Sequence, residues 1–164
     1  MQMEFVTELF EKAHAMGVTT CLDTSAQPFT REEPWFGDFA KLMAVTDTVL
    51  LDIKHIDDEA HRRLTRFGNA NILDCARYLS DIGKPVWIRH VLVPGITDDE
   101  ASLVRLHDFL CSLSNIERID VLPYHTLGTF KYEKLGIAYP LRDTPTPTPE
   151  SVARARNILE GTIG

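Results

Sequence analysis

Val49-Leu50-Leu51-Asp52-Ile53-Lys54 decides how this chain is read. An apolar, β-prone run ends in an acid and a base two residues apart, and on an extended chain such residues share a face. The continuous apolar character of Val49 to Leu51 predicts a strand covered on both sides, as in a parallel α/β sheet, where ligands gather at the carboxyl ends of strands. Asp and Lys also occur at ordinary strand exits, so the stretch needs company before it argues for chemistry.

Three further stretches supply that company. Val18 to Leu22 is a β-rich run closed by Asp23-Thr24-Ser25. Val86 to Val93 is apolar except for Arg89-His90, and Pro94-Gly95 ends it. Ile116 to Pro123 leads into Tyr124-His125.

Helical patterns alternate with these strands. From Met3 to Met16, the residues Phe5, Val6, Leu9, Phe10 and Ala13 recur at helical spacing, predicting a helix with one buried face that stops at Gly17. Pro28 to Pro34 reads as a loop, and Trp35, Phe36, Phe39, Leu42 and Met43 form a second apolar face behind Pro34. Asp57 is placed to cap a helix reaching about Arg66, and Asn69 to cap another from Ile72 to Ile82, with Leu73, Ala76 and Leu79 inward and Gly83 as its stop. Thr97-Asp98-Asp99-Glu100 matches a reciprocal capping box ahead of Leu103, Leu106, Phe109 and Leu110. Residues 126–147 read as a long loop, and Thr148-Pro149 opens a terminal helix over 148–163 with Val152, Ala155, Ile158 and Leu159 inward.

Strand then helix, repeated four times, predicts an α/β fold with a parallel sheet and right-handed crossovers. A doubly wound sheet fits that alternation. The chain opens on a helix with no strand before it, which favours a partial TIM-like (β/α) barrel of about four strands, with residues 1–164 as a single domain and part of something longer.

Composition narrows the function. With 44% hydrophobic and 25% charged residues, the chain has the makings of a core, and its apolar runs are far shorter than the roughly 20 residues that span a bilayer. A net charge of -7 argues against a nucleic-acid binder; the basic residues cluster only at Arg62-Arg63 and Arg66. Cys21, Cys75 and Cys111 are odd in number and far apart, which suits reduced thiols in a cytoplasmic protein and makes no metal-ligand motif.

Collected at the four strand ends are Asp23-Thr24, Asp52 with Lys54, Arg89-His90 and His125. Each alone has an ordinary structural use, as a turn residue, a solvated lysine or a satisfied histidine. Converging on one rim, they could hold a zwitterion, the cations meeting a carboxylate and the acids an ammonium or a cation. Lys54 as a Schiff-base nucleophile is a competing use, weakened by Asp52, which would keep the amine charged.

Cys21-Leu22-Asp23-Thr24, the Val49 to Lys54 stretch, Val86-Trp87-Ile88-Arg89 with Val91-Leu92-Val93-Pro94-Gly95, and Leu122-Pro123-Tyr124-His125 with Leu127-Gly128 and Lys131-Tyr132 together resemble the pyruvate formate-lyase activating enzymes, radical S-adenosylmethionine (SAM) activases of glycyl radical enzymes. The resemblance runs through nearly the whole chain in order. It implies a (β/α)6 barrel in which a 4Fe-4S cluster reductively cleaves SAM and the deoxyadenosyl radical takes hydrogen from a glycine of pyruvate formate-lyase, with a flavodoxin-type electron donor, in anaerobic metabolism.

By the same resemblance Lys54, Arg89, Val91 and His125 lie near SAM. Asp23, Thr24 and Asp52, with the Leu50 backbone, correspond to a monovalent-cation site, and the loop from His125 through Tyr132 lies where the glycine loop docks. The family's CxxxCxxC loop and Gly-Gly-Glu motif are absent, and Ser25-Ala26 stands where the family has Asn-Gly. The expectation is therefore a carboxy-terminal portion of an activase, with no catalytic residue of its own and without radical chemistry alone. A sister activase for another glycyl radical enzyme, or a non-catalytic module binding SAM or the partner, are the alternatives.

Overall fold

The computed structural model describes residues 2–161, and residues 162 and 163 of the expected terminal helix lie outside them. Four strands, β1 (Cys21–Thr24), β2 (Thr48–Asp52), β3 (Val86–Leu92) and β4 (Ile116–Pro123), form one sheet in the order β1-β2-β3-β4, every neighbouring pair parallel. Among the described residues seven helices accompany them: α1 (Met3–Ala15), α2 (Trp35–Ala44), α3 (Asp58–Thr65), α4 (Ala70–Asp81), α5 (Glu100–Cys111), α6 (Thr129–Leu135) and α7 (Pro149–Leu159). This is the partial TIM-like arrangement that the alternation predicts; the sheet's sequential order is that of a barrel wall and leaves no strand-order reversal of the doubly wound kind.

The strands alternate in burial, and that corrects the reading of β2 as covered on both sides. Leu22, Val49, Leu51, Val86, Ile88, Leu92, Ile119 and Val121 enter a core with Phe39, Leu42, Ile72, Leu79, Leu103, Leu106, Leu110 and Leu159 from the helices. Cys21, Asp23, Leu50, Asp52, Trp87, Arg89, Val91, Arg118 and Asp120 stand on the opposite face, half-buried or exposed. The sheet thus has one apolar side under the helices and one polar, open side, where a barrel would have its interior.

The local devices explain the element ends. Asp57 caps α3 by accepting from the Ala60 amide, and Thr148 caps α7 by accepting from Ser151, as their positions predict. The expected capping box at α5 is overturned. Asp99, two residues later, accepts from the Ser102 amide, because the Thr97 hydroxyl is already committed to Val93 N and Val91 O in the turn leaving β3. Asn69 makes no side-chain cap on α4 either; its amide donates to the Ile56 and His55 carbonyls and fastens the turn after β2.

Three expectations shift. β1 begins at Cys21 rather than Val18, and the segment 126–147 contains α6 rather than being wholly irregular. No residue of α1 is fully buried: Met3, Val6 and Phe10 touch the core while Phe5 and Leu9 stay exposed, so its apolar face is only half covered. Its Gly17 stop holds, at φ +73°.

Candidate functional site

Register assembles the site. Parallel pairing sets Asp23 opposite Leu50 and Asp52 opposite Arg89, so three strand ends deliver charged side chains to the open face within one step of each other. Arg89 Nε donates to Asp52 Oδ1 at 2.7 Å, and its two terminal nitrogens donate to the two carboxylate oxygens of Asp23, the Nη1 bond being 2.8 Å. Lys54 Nζ donates to Asp52 Oδ2 at 2.5 Å. Spacing by two puts Lys54 and Asp52 on one side, as an extended chain requires.

Two cations and two carboxylates therefore alternate in the order Asp23, Arg89, Asp52, Lys54. Desolvation alone would lower the proton affinity of Arg89, but the hydrogen bonds and charges of Asp23 and Asp52 outweigh it and hold the guanidinium above its ordinary value. The Arg89 and Asp52 side chains are 21% and 16% exposed, whereas that of Asp23 is 60% exposed. The inner pair is thus the fixed part and Asp23 the part free to exchange partners.

Other expected residues divide between this cluster and its surroundings. Leu50 and Val91 are half-buried on the open face, flanking it. Thr24 is buried on the covered side, its hydroxyl accepting from the Ala26 amide, so only its main chain adjoins the acids. His125 shares the carboxyl end of the sheet, following Tyr124 whose amide donates to Leu92 O, and its exposed ring accepts from the Leu127 amide at 3.4 Å. Among the described residues it makes no hydrogen bond to the four charged groups. His90, counted with Arg89 as a rim imidazole, faces the other way: it is buried, its ring nitrogens each 3.0 Å from a carbonyl oxygen, Ile53 O and Thr97 O. One residue of offset on a strand reverses the face.

The open face also carries groups that the strand-end reading passes over. Arg118 lies over the Trp87 ring at 5.0 Å and donates to Asp120 at 2.7 Å, and Trp87 Nε1 donates to Glu117 at 3.2 Å. A register shift between Val86 and Trp87 brings Glu117 into this set. The period-two alternation of Arg118, Asp120 and Leu122, in register with Trp87, Arg89 and Val91, is the signal that marks them.

Cys21 is exposed on β1, Cys75 is buried in α4 and Cys111 ends α5, and among the described residues no three His, Cys, Asp or Glu side chains are grouped to hold an ion. A depression of about 530 Å³ lies elsewhere, beside α1 and α2, lined by Glu4, Glu8, Glu11, Asp38 and Lys41; its acidic wall belongs to the helix side and offers nothing to the strand-end cluster. No helix among the described residues is long and apolar enough to cross a membrane.

The chain is similar to known proteins along nearly its whole length. The chain is 50% identical over 159 residues to the pyruvate formate-lyase-activating enzyme of Streptococcus mutans, covering 97% of this chain and 60% of that protein. It is 46% identical to the enzyme of that name from Listeria monocytogenes, covering 98% of this chain and 64% of the relative, and 49% identical to that from Staphylococcus aureus, covering 94% and 62%. The chain thus spans under two thirds of these relatives' length. A domain of pyruvate-formate lyase-activating enzyme from Bacteroides vulgatus superposes with a TM-score of 0.77 at 23% identity, over 96% of this chain and 85% of that one, which shows the shared fold. The family model for the radical SAM superfamily matches residues 1–107, most of the chain and all of the Asp23, Asp52, Lys54 and Arg89 cluster, and the chain belongs to that superfamily.

Proposed function

We propose that this chain forms the SAM-facing wall of a glycyl radical activase, an oxidoreductase of the formate C-acetyltransferase-activating kind, whose substrate protein is pyruvate formate-lyase. The observation that carries this reading is the alternating Asp23, Arg89, Asp52, Lys54 chain on the open face, together with relatives of that name at 46–50% identity.

The arrangement suits a zwitterion. Lys54, 31% exposed and held by one carboxylate, can turn its remaining donors to a ligand carboxylate. Asp23 can release Arg89 and accept from an ammonium or lie against a monovalent cation with Asp52 and the Leu50 and Thr24 main chain. The cationic Arg89 already fills the space between the two acids, so a cation there must displace its outer contact. Val91 and Leu50 provide apolar surface beside the charges, and His125 borders the same end. The radical SAM superfamily implies SAM and a 4Fe-4S cluster, which would supply one-electron chemistry when bound. The residues present do not fit the cluster: three thiols, one in the core and two on separate elements, cannot ligate one iron centre. No radical step is assigned to this chain alone. Within the cytoplasm of an anaerobically growing cell, a flavodoxin-type donor and the glycine loop of pyruvate formate-lyase are the partners this reading requires.

The test joins this chain to the segment of the Streptococcus mutans relative that it does not span. The hybrid, reconstituted anaerobically with iron, sulfide and SAM, should give pyruvate formate-lyase the doublet of a glycyl radical in electron paramagnetic resonance. The chain by itself should form no deoxyadenosine. A cluster-loaded hybrid that cleaves SAM but never produces the doublet would refute the choice of substrate; deoxyadenosine from the chain alone would refute the assignment of the cluster elsewhere.

A further inference from the structure

Far from the strand ends, the outer surface carries a nucleophile with a base already aligned to it. Cys111, the last residue of α5, is exposed, and its Sγ lies 3.3 Å from His107 Nε2 one helical turn earlier. The i,i+4 spacing makes the two side chains neighbours. The other ring nitrogen is occupied from a different element: His107 Nδ1 is 3.3 Å from the carbonyl oxygen of Leu159 at the end of α7. A carbonyl only accepts, so Nδ1 carries the proton, and Nε2 is left with a lone pair facing the thiol.

These are the three parts of an activated nucleophile, a thiol, a base within reach, and a third group that fixes the base's tautomer. The arrangement is tertiary rather than a helix accident, because the orienting carbonyl lies 52 residues away in sequence on the helix that packs against α5. The remaining cysteines lack it. Cys75 is buried and burial pushes its thiol up to about 12, and Cys21 is exposed with no histidine bonded to it among the described residues.

We propose that Cys111 is a site of reversible mixed-disulfide modification by low-molecular-weight disulfides, with His107 as its base. The Cys111 S–H proton passes to His107 Nε2, and the thiolate attacks one sulfur of the disulfide R–S–S–R. The Cys111 Sγ–S bond forms as the S–S bond breaks, and the departing R–S⁻ takes the proton back from His107. The sum is one protein thiol and one disulfide giving one mixed disulfide and one small thiol, with no outside oxidant or reductant. The adduct would stand where α5, the α5–β4 turn and the end of α7 meet, on the side of the sheet opposite the charged cluster. The proposal is independent of the SAM reading.

The experiment measures pseudo-first-order exchange at pH 7 with dithionitrobenzoate, an aromatic disulfide, on the full chain as Cys111-only (C21S/C75A) and Cys21-only (C75A/C111S) proteins, with circular dichroism to verify folding. Cys111 should react at least about fivefold faster than Cys21, and His107→Gln should bring it to within about twofold of Cys21. Should the C75A change impair folding, peptide mapping of the otherwise unaltered chain after brief exposure gives the same ratio, with Cys75 unlabelled. A Cys111 rate less than about fivefold above that of Cys21, or a His107→Gln protein that keeps its rate, overturns the proposal.

Discussion

Arg89→Gln tests the energetic core of the candidate site. In the folded protein Arg89 bridges Asp52, 16% exposed, and Asp23, 60% exposed. Breaking a buried ion pair costs about 3–5 kcal/mol because a charge is stranded, whereas an exposed pair contributes about 0–1 kcal/mol. Asp52 is not left wholly alone, since Lys54 remains 2.5 Å from its other oxygen. The loss should therefore fall between these limits, about 1–3 kcal/mol, and come mostly through Asp52. Urea unfolding of the parent chain, Arg89→Gln, Asp52→Asn, Asp23→Asn and the two double variants isolates each arm. Coupling of about 1–2 kcal/mol is expected for Arg89 with Asp52 and below about 0.5 kcal/mol for Arg89 with Asp23. If the Asp23 arm couples more strongly, or Arg89→Gln leaves the midpoint unmoved, the division into a fixed inner pair and an exchangeable outer acid is wrong.

Three further outcomes are expected. Leu110→Ala, at a fully buried position on α5, should cost about 2–5 kcal/mol in urea unfolding without altering the slope. Asp99→Ala should cost about 1 kcal/mol as the loss of the α5 cap, and Glu100→Gln nearly nothing, because the reciprocal box does not form. The pH dependence centres on His55, whose proton affinity is lowered below the ordinary 6.5, chiefly by burial, with Asp99 pulling the other way. Its neutral ring accepts from the Asp57 amide. A depressed folded value means that the unfolded chain binds the proton more readily, so the contribution is present above about pH 6.5 and is lost as pH falls through the lower folded value. The urea midpoint should drop between pH 7.5 and pH 5, and His55→Asn, whose side-chain oxygen can accept from the same amide, should flatten that drop. An equal drop in both proteins would show that other groups set it.

Much of this was legible from residue pattern. The strand that ends at Asp52, two residues before Lys54, the helix stripes of α2, α5 and α7, and the caps at Asp57 and Thr148 follow from periodicity and from short polar side chains that satisfy helix amides. What pattern could not supply was tertiary. Val49 to Leu51 looks apolar throughout, yet Leu50 faces the open side, since only the helices' position tells which alternate residues are covered. Thr97 looks like a helix cap until its hydroxyl is seen to bridge Val93 and Val91. His90 is adjacent to Arg89 in sequence and opposite to it in space. Arg118 and Asp120 lie mid-strand in β4, away from the strand ends at which ligands are expected. For a half-open barrel wall, the middle of a strand is also an accessible surface.

If the open face of the sheet is the ligand face, amide chemical shifts of the labelled chain under SAM titration will report it. With SAM raised to millimolar concentration, shifts should concentrate at Asp23, Leu50, Asp52, Lys54, Arg89 and Val91, with His125 at their margin, and should weaken in Lys54→Met. Shifts confined to the helix-covered side, or none at all at that concentration, would contradict it.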